Sequence, residues 1–198
     1  MAELKDLVLR VVQALDAIKL SYVIVGGFAA IFRGIPRTTM DLDIIIENDP
    51  VKINLFLNEL KRNNFDIMDE QTKMAIMEGT SASIFDDLSP LRVDIKVACK
   101  SIDKIALKGG YWEVYENTKI RIASPEVILF GKVLYIGDIA NESDADLLEF
   151  NDVRDFINVY NRGEQLDMAW LNAQVAKEGL LDTLNRLVMI ANTEKYQA

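Results

Sequence analysis

Apolar positions along the chain change period several times, and each change marks an element. Leu4, Leu7, Val8, Val11, Val12, Leu15 and Ile18 recur at spacings of three and four, with Glu3, Lys5, Asp6, Arg10 and Asp16 between them, which predicts an amphipathic helix over residues 3–19. Tyr22 to Val25 is nearly all apolar, as expected of a strand buried on both faces. Gly26-Gly27 ends it, Phe28 to Arg33 reads as a helix, Gly34-Ile35-Pro36 as a turn, and Met40 to Ile46 as a second strand. Asn48-Asp49-Pro50 then starts a helix over Val51 to Asn63, with Leu55, Phe56, Leu57 and Leu60 expected in the core.

From Phe65 to Ala98 strand patterns dominate: Phe65 to Met68, Met74 to Glu78, Ser83 to Phe85 and Leu91 to Ala98. The last alternates strictly, with Leu91, Val93, Ile95 and Val97 on one side and Arg92, Asp94 and Lys96 on the other. Lys100, Lys104 and Lys108 recur every fourth residue, one basic stripe on a helix that Gly109-Gly110 ends. Trp112 to Tyr115 and Lys119 to Ile122 read as a hairpin around Glu116-Asn117. Ser124-Pro125-Glu126 starts a helix that presents Lys132. Asp138, Glu142, Asp144, Asp146 and Glu149 make an acidic segment with no basic counterpart beside it, and helices over Met168 to Lys177 and Leu180 to Thr193 close the chain. A hinge is expected at Asn161-Arg162-Gly163-Glu164. The pattern predicts an α/β core followed by a helical extension.

Composition narrows the chemistry. The 198 residues, 50% hydrophobic and 27% charged, suit a globular chain with a sizeable core. No apolar run approaches the roughly 18 residues of a membrane span, and the first residues do not begin a signal peptide, so a cytoplasmic protein is expected. There is no histidine, which removes every Ser-His-Asp, Cys-His and histidine–metal mechanism. Cys99, the only cysteine, allows no internal disulfide and is expected to be a buried structural thiol. The net charge of −9 argues against broad duplex binding and leaves local contact with one nucleic-acid end open.

What remains is carboxylate, lysine, arginine, hydroxyl and backbone. Asp41 and Asp43, two positions apart on a strand, project from one face with their oxygens close together. Such a pair repels unless a cation lies between them, and hard oxygen donors suit Mg²⁺. Gly26 and Gly27 would let backbone approach a phosphate at the following helix. Arg37 can clamp phosphate oxygens, and Thr38 and Thr39 can steady a phosphate or the turn.

A glycine pair opening a helix, followed about a dozen residues later by Asp-x-Asp on a strand, resembles the polymerase-beta-like nucleotidyltransferases. The fuller stretch GGFAAIFRGIPRTTMDLDI is similar to small stand-alone members related to AbiEii-type abortive-infection toxins. The resemblance is concentrated between Tyr22 and Glu47. It implies a nucleotidyltransferase fold, with a mixed twisted sheet flanked by helices as the α/β core over residues 1–123 and a C-terminal helical region over 124–198 packed on it, and transfer of a nucleoside monophosphate from a triphosphate to a hydroxyl acceptor. Two Mg²⁺ ions would be held by Asp41, Asp43 and a third acid on a neighbouring strand, for which Asp94 is the best-placed residue, with Asp86 or Asp87 next. It also implies that Lys132 approaches the nucleotide phosphates. Asn151 before Asp152 departs from the basic-acidic pair common at that place in the family. The acceptor stays open between a tRNA end, a protein and a small antibiotic-like molecule. A partner protein, as in a toxin–antitoxin pair, or a homodimer also stays open. Alternatives are the same fold with a degraded site acting as a binding module, and a metal-dependent phosphohydrolase.

Overall fold

The computed structural model describes residues 2–35, 38–162 and 165–195, so Arg37 and part of the expected hinge lie outside the described residues. The chain folds as two compact units, one holding residues 1–29 and 37–123, the other residues 30–36 and 124–198.

The first unit begins with α1 (Ala2–Ile18), β1 (Tyr22–Ile24) and α2 (Gly26–Phe32), within which the division between the units falls. It continues with β2 (Asp41–Ile46), α3 (Pro50–Arg62), β3 (Phe65–Asp66), α4 (Asp69–Glu78), β4 (Ser81–Asp86), β5 (Arg92–Val97), α5 (Ser101–Lys108), β6 (Gly110–Tyr115) and β7 (Thr118–Ala123). The strands form one mixed seven-stranded sheet in the order β3-β4-β5-β2-β1-β7-β6. β2 runs parallel to β5 and antiparallel to β1, and β1 runs parallel to β7.

Strand alternation sorts the two faces of the sheet. Leu42, Ile44 and Ile46 of β2, Val93, Ile95 and Val97 of β5, and Ala82 and Ile84 of β4 are buried on one of them. Each valine, leucine or isoleucine among them contributes about 1.5–3 kcal/mol by leaving water. Arg10 of α1 reaches this side, where its Nη2 donates to both oxygens of buried Asp86 at 2.8 Å, its Nη1 donates to Asn63 O at 3.0 Å, and its guanidinium lies 4.7 Å from the Phe65 ring centre. The opposite face of β4, β5 and β2 carries Ser81, Ser83, Phe85, Arg92, Asp94, Lys96, Asp41 and Asp43, none of them buried.

Several local expectations hold because the chemistry is local. Asp49 accepts from the backbone N–H of Val51 and Lys52, each at 3.1 Å, and Pro50 opens α3. Glu116 and Asn117, both at positive φ, turn the β6–β7 hairpin. Three expectations are corrected. Met74 to Glu78 is not a strand but the second half of α4, because Glu, Gln, Lys, Met and Ala are good helix formers and Gly79, at φ +65°, stops the helix in the left-handed region. Leu55 is exposed, and the buried stripe of α3 is Ile53, Phe56, Leu57 and Leu60, a set that keeps the i, i+3, i+4, i+7 spacing. Cys99 lies just past β5 and is exposed, accepting from Asn48 Nδ2 at 3.7 Å.

The second unit is helical: α6 (Pro125–Ile136), α7 (Asp144–Glu149), α8 (Asn151–Arg162), α9 (Met168–Lys177) and α10 (Leu181–Lys195). The acidic segment has basic counterparts after all, supplied from elsewhere in the sequence. Arg186 donates to the carbonyls of Ile139 and Glu142, each at 2.5 Å, and to Asp144 at 2.7 Å, while Arg154 donates to the carbonyls of Leu148 and Glu149. No described helix is long and apolar enough to cross a membrane.

Candidate active site

The parallel register of β2 and β5 sets Asp41 beside Arg92 and Asp43 beside Asp94. The antiparallel register of β4 and β5 adds Phe85 to the first row and Ser83 to the second, and a third row runs Ser81, Lys96, Ile45. Two carboxylates directly opposite on adjacent strands, about 4.8 Å apart, repel each other and need a counter-charge. Arg92 supplies one. Its Nη2 donates to Asp41 Oδ2 at 2.9 Å and its Nε to Asp94 Oδ2 at 3.2 Å, so one guanidinium ties the two strands across the acidic face. The hydrogen bond and charge of Asp94, with further help from Asp41 and Asp43, raise the Arg92 pKa above its ordinary value, and the group is cationic at every accessible pH.

Hydroxyls complete the shell. Ser83 Oγ donates to Asp94 Oδ1 at 2.5 Å, and Thr39 Oγ1 donates to Asp41 Oδ1 at 2.6 Å. Thr39 therefore holds the first carboxylate, where the sequence had offered it to a phosphate or the turn. Thr38 is exposed beside it.

Asp43 is placed by a glycine. Gly26 adopts φ +64°, and a Cβ built on it would lie 2.7 Å from Asp43 Cγ, so the carboxylate fills the space a side chain would need. Backbone pairing fixes this approach, since the Val25 N–H donates to Asp43 O at 3.0 Å. Gly27 follows in the first turn of α2.

The other candidates fall elsewhere. Asp86 is turned to the opposite side of β4, where Arg10 and Ser89 hold it, so it is not available as a third carboxylate; Asp87 lies in the turn after β4. Lys132 belongs to the second unit. It is buried, and its Nζ donates to Asp152 Oδ1 and Asp155 Oδ2, each at 2.6 Å, a pairing that a buried ammonium requires. Ser83 and Arg92 were missed as site residues. Strand parity put Arg92 on the face of Asp94 in the sequence, but only the β4–β5 register brings Ser83 to it.

The donor set suits a hard divalent cation: carboxylate oxygens on neighbouring strands, on one face of the sheet and none of them buried. Among the described residues no three acidic side chains are gathered tightly enough to form a metal centre. Of Asp41, Asp43 and Asp94, Arg92 bridges two, Asp41 at 2.9 Å and Asp94 at 3.2 Å.

No family model and no curated protein matches the chain. Solved structures do. The chain is similar to the crystal structure of ANT(2")-Ia in complex with adenylyl-2"-tobramycin, at 14% identity and TM-score 0.62, over 89% of this chain and 98% of that one. It is similar to the solution structure of the antibiotic-resistance factor ANT(2")-Ia, at 13% identity and TM-score 0.57, over 100% and 99%. A crystal structure of an antigenic nucleotidyltransferase-like protein from Paracoccidioides brasiliensis matches at 24% identity and TM-score 0.56, over 97% and 93%. The fold is therefore the nucleotidyltransferase fold.

Proposed function

We propose that this protein is a Mg²⁺-dependent nucleotidyltransferase that moves a nucleoside monophosphate from a nucleoside triphosphate to a hydroxyl acceptor. The observation that carries the reading is the meeting of Asp43 and Asp94 in register, with Asp41 on the same face and Gly26 against Asp43. Similarity to ANT(2")-Ia, solved with an adenylylated product, supports it. The motif GGFAAIFRGIPRTTMDLDI is what links the chain to AbiEii-type members in particular. The catalytic core is drawn at residues 1–123 and the accessory helical region at 124–198.

In this reading Asp41, Asp43 and Asp94 hold the metal, with two ions expected. Bound there, Mg²⁺ supplies charge neutralisation of the triphosphate and of the attacking oxygen. The acceptor oxygen bonds to the α-phosphorus, its proton passes to Asp94, and the bond to pyrophosphate breaks. Ser83 orients Asp94 for that transfer, and Thr39 orients Asp41. Gly26 and Gly27 offer backbone to the outer phosphates, for which Arg37, Thr38 and Thr39 are the further proposed ligands. Lys132 serves the phosphates only if its two aspartates release it, so its first role is to hold α6 to α8.

Thermal melting with Mg²⁺ and each of the four nucleoside triphosphates tests the reading. A ligand at a hundredfold its Kd adds about 2.7 kcal/mol of stability, so at least one nucleotide should raise Tm by several degrees. A flat response to all four would overturn it. Pyrophosphate release without orthophosphate separates transfer from hydrolysis. Neutralisation of Asp41 and Asp94 by Arg92 favours a second reading, a nucleotide- or partner-binding module with no transfer. Nucleotide-induced stabilisation with no pyrophosphate release in the presence of cell extract would select it.

A further inference from the structure

We infer that Ser83 is itself an acceptor: given Mg²⁺, a nucleoside triphosphate and no other hydroxyl, the protein moves the nucleoside monophosphate onto its own Ser83 Oγ. The inference rests on the nucleotidyl-transfer reading and names a substrate of that same site, the chain itself. Strand register puts Ser83, Asp94 and Asp43 side by side on β4, β5 and β2, about 4.8 Å from one strand to the next. With Asp43 and Asp94 serving the triphosphate and the base, Ser83 is the next residue of that row on the acceptor side. It is exposed, and β3 pairs only with Phe85 and Asp86, so among the described residues no strand stands beyond β4 at this row.

A serine hydroxyl becomes a nucleophile when a base within hydrogen-bond reach takes its proton. Ser83 Oγ donates to Asp94 Oδ1 at 2.5 Å, and Arg92 Nε donates to the other oxygen at 3.2 Å. The proposed base thus already holds one hydroxyl proton, and it is that of Ser83. This hydroxyl is part of the chain and is positioned without loss of translational freedom, whereas an acceptor from solution must first displace it from Asp94.

Other hydroxyls near the carboxylates lack one part of the arrangement. Ser89 Oγ donates to Asp86 Oδ2 at the same 2.5 Å, but that carboxylate is buried on the opposite side of the sheet and bound by Arg10. Thr39 Oγ1 donates to Asp41 Oδ1 at 2.6 Å and to the Asp41 carbonyl at 3.3 Å, on the carboxylate assigned to the triphosphate. Ser81 lies about 7 Å along β4, in the row of Lys96. Ser83 combines exposure, a carboxylate partner and a second carboxylate in register.

In the step, Ser83 Oγ bonds to the α-phosphorus and its proton passes to Asp94. The bond from the α-phosphorus to the bridging oxygen breaks, and pyrophosphate leaves with that electron pair. The product is a phosphodiester joining Ser83 to the nucleoside. It fills the acceptor side next to Asp94, so each chain reacts once.

The test incubates the full-length protein with Mg²⁺ and each of the four nucleoside triphosphates in turn, with no acceptor added. Intact mass, peptide mapping by tandem mass spectrometry and pyrophosphate release are the readouts. For at least one nucleotide, a single nucleoside monophosphate should appear per chain, on Ser83, with one pyrophosphate per adduct and a rate independent of protein concentration. Ser83→Ala should stay unlabelled, and Ser83→Thr, which keeps the hydroxyl, should be labelled at the same position. Asp94→Asn should slow labelling about a hundred- to ten-thousandfold. No adduct in wild type, an adduct on another residue, labelling that persists in Ser83→Ala, or a rate that rises with protein concentration would each overturn the inference. Melting of wild type with Mg²⁺ and each nucleotide is recorded in parallel. A melting response without an adduct removes self-transfer and leaves the transfer reading standing; a flat response to all four nucleotides removes both.

Discussion

The carboxylate of Asp43 occupies the space where any residue other than glycine at position 26 would carry its Cβ, with Cγ at 2.7 Å from that point. Gly26 is thus held by two constraints, a left-handed backbone at φ +64° and an acid pressed against it. Gly26→Ala should lose about 1–3 kcal/mol of stability from backbone strain alone, and it should displace Asp43. Urea denaturation reads the first effect and nucleotide-dependent melting the second. Wild-type stability together with a wild-type nucleotide response in Gly26→Ala would refute the coupling between turn and carboxylate.

Asp94 is where binding and chemistry should separate. It takes the acceptor proton in the proposed reaction, while Asp41 and Asp43 accompany the triphosphate. Asp94→Asn is nearly isosteric and still accepts from Ser83, so nucleotide-induced stabilisation should persist while pyrophosphate release falls by orders of magnitude. Transfer at the wild-type rate would move the third carboxylate elsewhere.

Arg92 and a bound cation should compete for the same oxygens. Arg92→Gln leaves Asp41 and Asp94 without their guanidinium, so the variant should melt below wild type in EDTA and gain more than wild type on adding Mg²⁺. An identical Mg²⁺ response in the two proteins would show that the cation does not use these carboxylates.

Asp86 should matter for stability and not for the site. Its side chain is fully buried against Arg10, Ser89 and the Leu88 N–H. Asp86→Ala strands a largely buried guanidinium and should cost about 3–5 kcal/mol, read as a lower urea midpoint. A small loss would mean that Arg10 finds other acceptors in Asp6 and the Asn63 carbonyl.

Tyr22 should give the protein an alkaline limit. Burial is the main cause that pushes its hydroxyl from 10.0 up to about 12, with Asp16 adding to it and the Arg121 N–H opposing. Because the folded pKa is the higher one, the unfolded chain releases this proton first. The stabilisation is whole below pH 10 and drains away between pH 10 and about 12, by up to roughly 2–3 kcal/mol. Tyr22→Phe should flatten that limb of the stability profile; an unchanged alkaline slope would assign it to other groups.

Much of this protein was written locally. Asp49-Pro50 and Ser124-Pro125 start helices because a capping oxygen and a fixed φ act within three residues, and Glu116-Asn117 turns a hairpin for the same reason. The alternation from Leu91 to Val97 fixed which side chains share a face, and so put Arg92 with Asp94. Asp41-x-Asp43 behind a glycine pair carried the site's chemistry, since strand parity alone aims both acids the same way. Tertiary structure decided what those residues meet. Whether Asp94 faces Asp43, whether Ser83 reaches Asp94 and whether Arg92 spans Asp41 and Asp94 all depend on register between distant strands, which a one-residue slip would reverse. Asp86 and Asp94 are equally acidic in sequence, yet opposite parity on paired strands sends one to Arg10 and the other to the open face. Met74 to Glu78 and Lys132 show the same limit: a short apolar run fits strand and helix alike, and a buried lysine is identified only by the aspartates that fold up to meet it.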